Sequence, residues 1–293
     1  MEMAARPRRS ALYMPASNPR AVEKARALPC DVVILDLEDA VAPEAKPAAR
    51  DAAVEAVRAG GFGPREVVVR VNALSTPWGA DDLRAMAECG PDAVLVPKIN
   101  GPGDVADYSA PLQFAPARTR LWAMIETCPA MFELRAIAEE EARTRLDCFV
   151  MGVNDLAKEM RAQQTPDRAP FVPFLAMTVA AARAHGLGVL DGVHNEIDDL
   201  AALETVCRQG AAMGFDGKTL IHPSHLAISN RVFSPDPAEV AWSRAVVAAF
   251  EAPENRGKGA LRVEGRLAEH LHRDQARQLI AVAEAIEAAE AAR

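Results

Sequence analysis

Residues Asp31 to Lys46 read DVVILDLEDAVAPEAK. Four apolar residues, Val32 to Leu35, run directly into Asp36, Glu38 and Asp39, and a helical stretch, Lys46 to Ala59, follows. A short β-branched run without polar alternation suits a strand buried on both faces, as in a parallel sheet covered by helices. The pattern recurs along the first 222 residues. Ala11 to Pro15 leads to Asn18, Val67 to Val69 to Arg70 and Asn72, Ala93 to Val96 to Lys98, and Leu121 to Ile125 to Glu126. Cys148 to Val153 leads to Asn154 and Asp155, Gly188 to Leu190 to Asp191 and His194, and Ala211 to Phe215 to Asp216 and Lys218. Helical stretches such as Ala130 to Ala142 lie between. Strand and helix alternating eight times predicts a (β/α)8 TIM barrel, whose catalytic groups sit where strands end. Charges gathered at those ends point to an enzyme.

The chain of 293 residues accommodates one such barrel at 1–233 and leaves a C-terminal helical extension at 234–293, expected to pack on a neighbouring subunit. In the extension Ala238 to Ala252 reads as a helix, Pro253 to Gly259 as a loop, Val263 to Arg266 as a small turn and Leu267 to Ala292 as a long amphipathic helix. A net charge of -8 argues against general nucleic-acid binding, for which a basic face is the usual footprint. Five cysteines without CxxC or metal spacing suit reduced thiols. No run reaches the roughly 20 apolar residues of a membrane span, and Met1 to Ser10 is basic without an apolar segment behind it. The expected location is cytoplasmic, away from membranes.

Glu126 and Asp155 close adjacent runs, so their carboxylates can converge. Two carboxylates with open positions suit Mg²⁺, which keeps waters and takes substrate oxygens as remaining ligands; a structural ion pair with a neighbouring Lys or Arg is the other reading. Arg70 is a planar fork suited to a substrate carboxylate, or to a salt bridge with Asp36, Glu38 and Asp39. Those three acids crowd one strand end and need a cationic partner, Arg70 or Lys98, or a raised pKa. Lys98 and Lys218 leave a Schiff-base aldolase open. His194, His222 and His225 could be read as Zn²⁺ ligands or as rim contacts. GxGxxG after the first strand, GxxxxGK[ST], GxSxG and HExxH are absent, which removes sequence support for Rossmann redox, P-loop, α/β-hydrolase and zincin chemistry.

PASNPRAVEKA (Pro15 to Ala25), DVVILDLEDAVAPEAK, RVNALSTPWG (Arg70 to Gly79), VLVPKI (Val94 to Ile99), IET (Ile125 to Thr127), GVNDLA (Gly152 to Ala157) and GFDGKTLIHP (Gly214 to Pro223) together resemble the citrate lyase β-subunit family, within the HpcH/HpaI aldolases and malyl-CoA lyases. The resemblance implies a TIM barrel in a homotrimer or hexamer, cleaving or condensing 3-hydroxyacyl thioesters with Mg²⁺. It implies Glu126 and Asp155 as metal ligands, Arg70 as the holder of the keto-acid carboxylate, Glu38 and Asp39 as acids beside the metal, and Lys98 and Lys218 as site-lining lysines. Arg20 and Lys24 are candidates for the phosphates of CoA, the expected thioester carrier, with acyl carrier protein the other carrier. Where malyl-CoA lyase-like members carry a string resembling GKMID, with an aspartate that reaches a neighbouring subunit's site, this chain has GRLAE, Gly265 to Glu269. Glu269 is then the candidate proton donor, on a side chain one methylene longer. Carbon-carbon cleavage is the first expectation. A thioester hydrolase on the same scaffold and a complex subunit without turnover of its own are the alternatives.

Overall fold

A computed structural model describes residues 6–293. Residues 1–5, which hold the start of the basic Met1 to Ser10 segment and of the expected 1–233 domain, lie outside the described residues. Eight strands alternate with helices: β1 (Ser10–Pro15), α1 (Pro19–Ala25), β2 (Val32–Asp36), α2 (Lys46–Ala59), β3 (Glu66–Arg70), α3 (Gly79–Cys89), β4 (Ala93–Val96), α4 (Pro102–Leu112), β5 (Arg120–Ile125), α5 (Cys128–Glu139), β6 (Leu146–Met151), α6 (Val153–Met160), α7 (Val172–Ala184), β7 (Gly188–Asp191), α8 (Leu200–Met213) and β8 (Gly217–Leu220), then α9 (Leu226–Val232). Each strand pairs in parallel with the next and β8 pairs with β1, closing the barrel.

Alternation along each strand assigns the faces. Val32 and Ile34, Val68, Ala93 and Leu95, Trp122 and Met124, and Cys148 and Val150 form the barrel interior. Val33 and Leu35, Val67 and Val69, Val94 and Val96, and Leu121 and Ala123 belong to the larger core that includes residues of the surrounding helices. Continued one step toward the strand ends, the interior set reaches Asp36, Arg70 and Glu126. At the opposite end Arg8 lies over the Trp122 ring at 4.6 Å and pairs with Glu66 at 2.8 Å and Asp147 at 2.6 Å. The apolar barrel thus carries a stabilising ion network at its N-terminal face and presents its chemistry at the other, the usual division in this fold.

Two strands differ from expectation: β6 ends at Met151, so that Val153, Asn154 and Asp155 belong to α6, and the eighth run is displaced. Ala211 to Met213 end α8, Gly214 takes φ 95° as its left-handed stop, and the eighth strand is Gly217–Leu220. Ala-rich helix ends and buried strands are both short apolar runs, which periodicity alone does not separate. Lys218 therefore lies inside a strand.

Residues 6–7 and 234–293 form a compact unit distinct from the one made by residues 8–233. It contains α10 (Pro237–Glu251), β9 (Ala260–Val263), β10 (Arg266–Glu269) and α11 (His270–Ala291), around a core of Val246, Val263, Ala268 and Ala276. The expected small turn is a β-hairpin: Glu264 and Gly265 have φ of 48° and 84°, the pattern of a two-residue hairpin turn. The hairpin displaces the start of the last helix from the expected Leu267 to His270.

Candidate active site

The mouth is built around Arg70. Its guanidinium forks onto Asp36, with Nε donating to Oδ1 and Nη2 to Oδ2, both at 2.6 Å. Asp36 itself accepts the backbone N–H groups of Glu38 at 2.9 Å and Ala40 at 3.1 Å. Arg70 Nη1 stands 2.9 Å from Glu38 Oε2 and 3.2 Å from Asp39 Oδ2, and the guanidinium carbon lies 4.8 Å from the centre of the Tyr13 ring. Glu38 Oε2 is buried and out of line for a hydrogen bond. Burial pushes the Glu38 carboxyl up to about 8; Arg70 opposes that shift, while Asp39 and Glu126 reinforce it. Asp39 is exposed and touches Arg70 only from outside.

A second group faces this one. Glu126 is 1% exposed, and Lys98 reaches it twice, by its backbone N–H to Oε1 at 2.8 Å and by Nζ at 3.3 Å. The same ammonium stands 2.6 Å from Asp155 Oδ2, in the first turn of α6. Lys98 takes φ 56°, an unusual conformation for a residue with a side chain, and one that functional sites concentrate. Burial raises the Glu126 carboxyl against the pull of Lys98. Burial also works against the Lys98 charge, but Glu126 and Asp155 outweigh it and its pKa is raised.

Glu126 Oε2 is buried with no hydrogen-bond partner among the described residues. Gly152 makes room for it: a Cβ there would lie 2.4 Å from Oε2 and 2.5 Å from the Glu126 Cβ. Among the described residues no three His, Cys, Asp or Glu side chains converge as a metal cage. Two hard carboxylates, one with an unsatisfied buried oxygen, beside a pocket lined by Lys98, Glu126, Thr127, Asp155, Lys158, Glu159 and Arg161 fit a cation that completes its shell with waters and substrate oxygens. The ammonium of Lys98 marks the position between them as favourable to positive charge.

Arg20 and Lys24 are exposed on α1. Lys218 is fully buried and lines a cavity with Arg168 and His194 that does not include Arg70, Glu126 or Asp155: its Nζ donates to Asp191 at 2.9 Å, and Asp191 also receives Arg168 at 2.7 Å. The residues two ahead of Asp191 and two beyond Lys218, Val189 and Leu220, belong to the outer core, so this pair faces the helices. A locked, buried lysine outside the barrel corrects its reading as site-lining and removes it as a Schiff-base candidate. Of the two histidine readings, the contacts among the described residues match rim contacts and not a zinc cluster. His225 Nε2 contacts the Ile197 carbonyl at 3.1 Å, His222 Nδ1 contacts Ser224 Oγ at 2.7 Å, and the rings of His194 and His225 are 6.4 Å apart. Glu269 ends β10 in the second unit, with its N–H donating to His272 Nδ1 at 3.0 Å. The sequence reading counted Asp36 only as one of three crowded acids, although its spacing two residues after Ile34 places it inward, and it did not use Gly152.

The family model described as HpcH/HpaI aldolase/citrate lyase matches residues 9–223. A (3S)-malyl-CoA thioesterase of Cereibacter sphaeroides is 46% identical over 284 residues, 97% of each chain. An L-malyl-CoA/beta-methylmalyl-CoA lyase from the same species is 33% identical over 310 positions, again 97% of each chain. The crystal structure of CitE from Mycobacterium tuberculosis with magnesium, acetoacetate and coenzyme A superposes with a TM-score of 0.74 at 31% identity, over 96% of this chain and 99% of that one.

Proposed function

The chain belongs to the HpcH/HpaI aldolase/citrate lyase family of enzymes, and from that premise we propose that it hydrolyses the CoA thioester of a short hydroxy-dicarboxylic acid of the malyl type. The observation that carries the choice of reaction is the 46% identity, along nearly the whole of both chains, to (3S)-malyl-CoA thioesterases, against 33% for the lyase. It favours reversing the order of the two reactions expected from the sequence.

Arg70 is the group we assign to the free carboxylate of the acyl chain. Asp36 holds its Nε and Nη2 edge, so the guanidinium meets that carboxylate with its Nη edge already oriented, and binding costs little further side-chain entropy. Glu126 and Asp155 would hold Mg²⁺, the metal named with CitE, which supplies a fixed positive charge that polarises a bound oxygen. Glu38 is the base we assign to the attacking water: its carboxyl gains and loses a proton near pH 8 and can accept one from water as the oxygen adds to the acyl carbon. The carbon-sulfur bond then breaks, and that proton leaves with the thiol, giving free CoA and the hydroxy acid. Lys98 keeps a positive charge beside these groups.

Carbon-carbon cleavage is the second reading, favoured by the lyase relative and by the same carboxylate-binding guanidinium. It needs a proton donor for the thioester enolate, for which Glu269, supplied by a neighbouring subunit of a homo-oligomer, is the proposed group. Incubation with malyl-CoA and Mg²⁺, following free thiol, hydroxy acid, acetyl-CoA and keto acid together, separates them. Free thiol with intact hydroxy acid is the expected result; acetyl-CoA and keto acid without free thiol would replace it with the lyase.

A further inference from the structure

We infer that Lys46 and Asn72 are positioning residues for Glu38, an inference that rests on the role of Glu38 as base. Lys46 opens α2, where a cation opposes the helix dipole, and its side chain is buried. An ammonium in such a place is costly unless its donors are used. All three are: Nζ donates to the carbonyls of Leu37 and Glu38, each at 2.9 Å, and to Asn72 Oδ1 at 2.6 Å, with the Trp78 ring at 5.2 Å. Among the described residues no carboxylate lies within ion-pair distance of it. What it holds is the backbone of the acid loop.

Asn72 completes the clamp. Its Nδ2 donates to the Leu37 carbonyl at 3.0 Å and to Asp82 Oδ2 at 2.6 Å, and its N–H reaches the same Asp82 oxygen at 3.1 Å. Asp82 is fully buried and accepts Arg50 Nε at 2.7 Å. Two helices, α2 and α3, and the exit of β3 therefore converge on the carbonyls of Leu37 and Glu38. The stretch from Leu37 to Ala42 has no helix or strand of its own. Its position comes from this clamp, from Asp36 accepting the Glu38 N–H, and from the Leu37 N–H donating to the Arg70 carbonyl at 2.9 Å. Loss of the clamp frees Glu38 to drift from its place 2.9 Å from Arg70. A displacement of that kind costs turnover more than substrate affinity, because Arg70 keeps its Asp36 fork.

The test is a double-mutant cycle with Lys46→Met and Glu38→Gln, with malyl-CoA as probe and the summed release of free thiol and acetyl-CoA as readout, so that either reaction registers. Lys46→Met should lower kcat by about tenfold or more with KM within about threefold. In the Glu38→Gln background the same change should cost less than about twofold further. Asn72→Ser, which leaves Lys46 in place, takes the role of Lys46→Met if that variant does not fold, with the same coupling expected. Equal losses in both backgrounds, a change confined to KM, or unchanged kcat would overturn the inference. Full turnover by Glu38→Gln alone would instead overturn the role of Glu38 as base, and this is read without either clamp variant.

Discussion

At the scale of the residue, two side chains decide what the mouth can do. Glu38 carries a proton to about pH 8 because burial outweighs Arg70. Activity should therefore rise between pH 7 and 9 as the base form appears, and Glu38→Gln should flatten that limb in a kcat/KM profile. The stability linkage has the opposite sign. The folded state holds a proton that the unfolded carboxyl loses near its ordinary value of 4.5. This contribution is fully present below that value and is lost as pH rises through about 8. Gly152 is decided by space, since its φ of -104° is open to any residue. Gly152→Ala should crowd Glu126 and raise the Mg²⁺ concentration for half-maximal activity by about tenfold or more, with far-UV circular dichroism unchanged. Arg70, Glu126 and Asp155 were legible as a site because charged residues follow apolar runs. The value of Gly152 was not, because a missing Cβ has meaning only against the atom that occupies its space.

At the scale of the element, strand parity separates mouth from wall. Arg70 and Lys218 each stand at a strand's charged end in the sequence, yet one faces inward and the other faces the helices. A one-residue difference in where the eighth strand begins reverses the face of every side chain in it, and the Ala-rich end of α8 hid that beginning. The buried Asp191 between Lys218 and Arg168 belongs to the wall. Burial would raise its carboxyl, but Lys218 and Arg168 overcome this and hold it below the usual carboxylate range. Asp191→Ala leaves two buried cations unpaired and should destabilise the barrel by about 3–5 kcal/mol, read as a lower denaturant midpoint. Its effect on kcat in the remaining folded fraction should be small, since none of these groups touches the mouth.

At the scale of the whole molecule, the barrel gathers acids from the ends of β2 and β5 and the start of α6 around the guanidinium of Arg70 and the ammonium of Lys98. Chelation should abolish turnover of malyl-CoA, and Mg²⁺ should restore it while leaving the fold intact. Retention of full activity after exhaustive chelation would remove the metal role of Glu126 and Asp155. The C-terminal unit contributes a β-hairpin that ends on Glu269, and no helix among the described residues is long and apolar enough to cross a membrane.

The amino-acid sequence alone determined the barrel and the inventory of the mouth. Buried strands are built on apolar runs, with polar groups gathered where the strand leaves the core, so composition along the chain records both for β1 to β7; β8, Gly217–Leu220, is the exception. What only the tertiary structure decided was convergence: that Asp36 takes the Arg70 fork, that Lys98 stands between Glu126 and Asp155, that Lys218 turns away, and that Lys46 and Asn72 hold the acid loop. These depend on register and on contacts between elements dozens of residues apart. Local propensity carries no information about either.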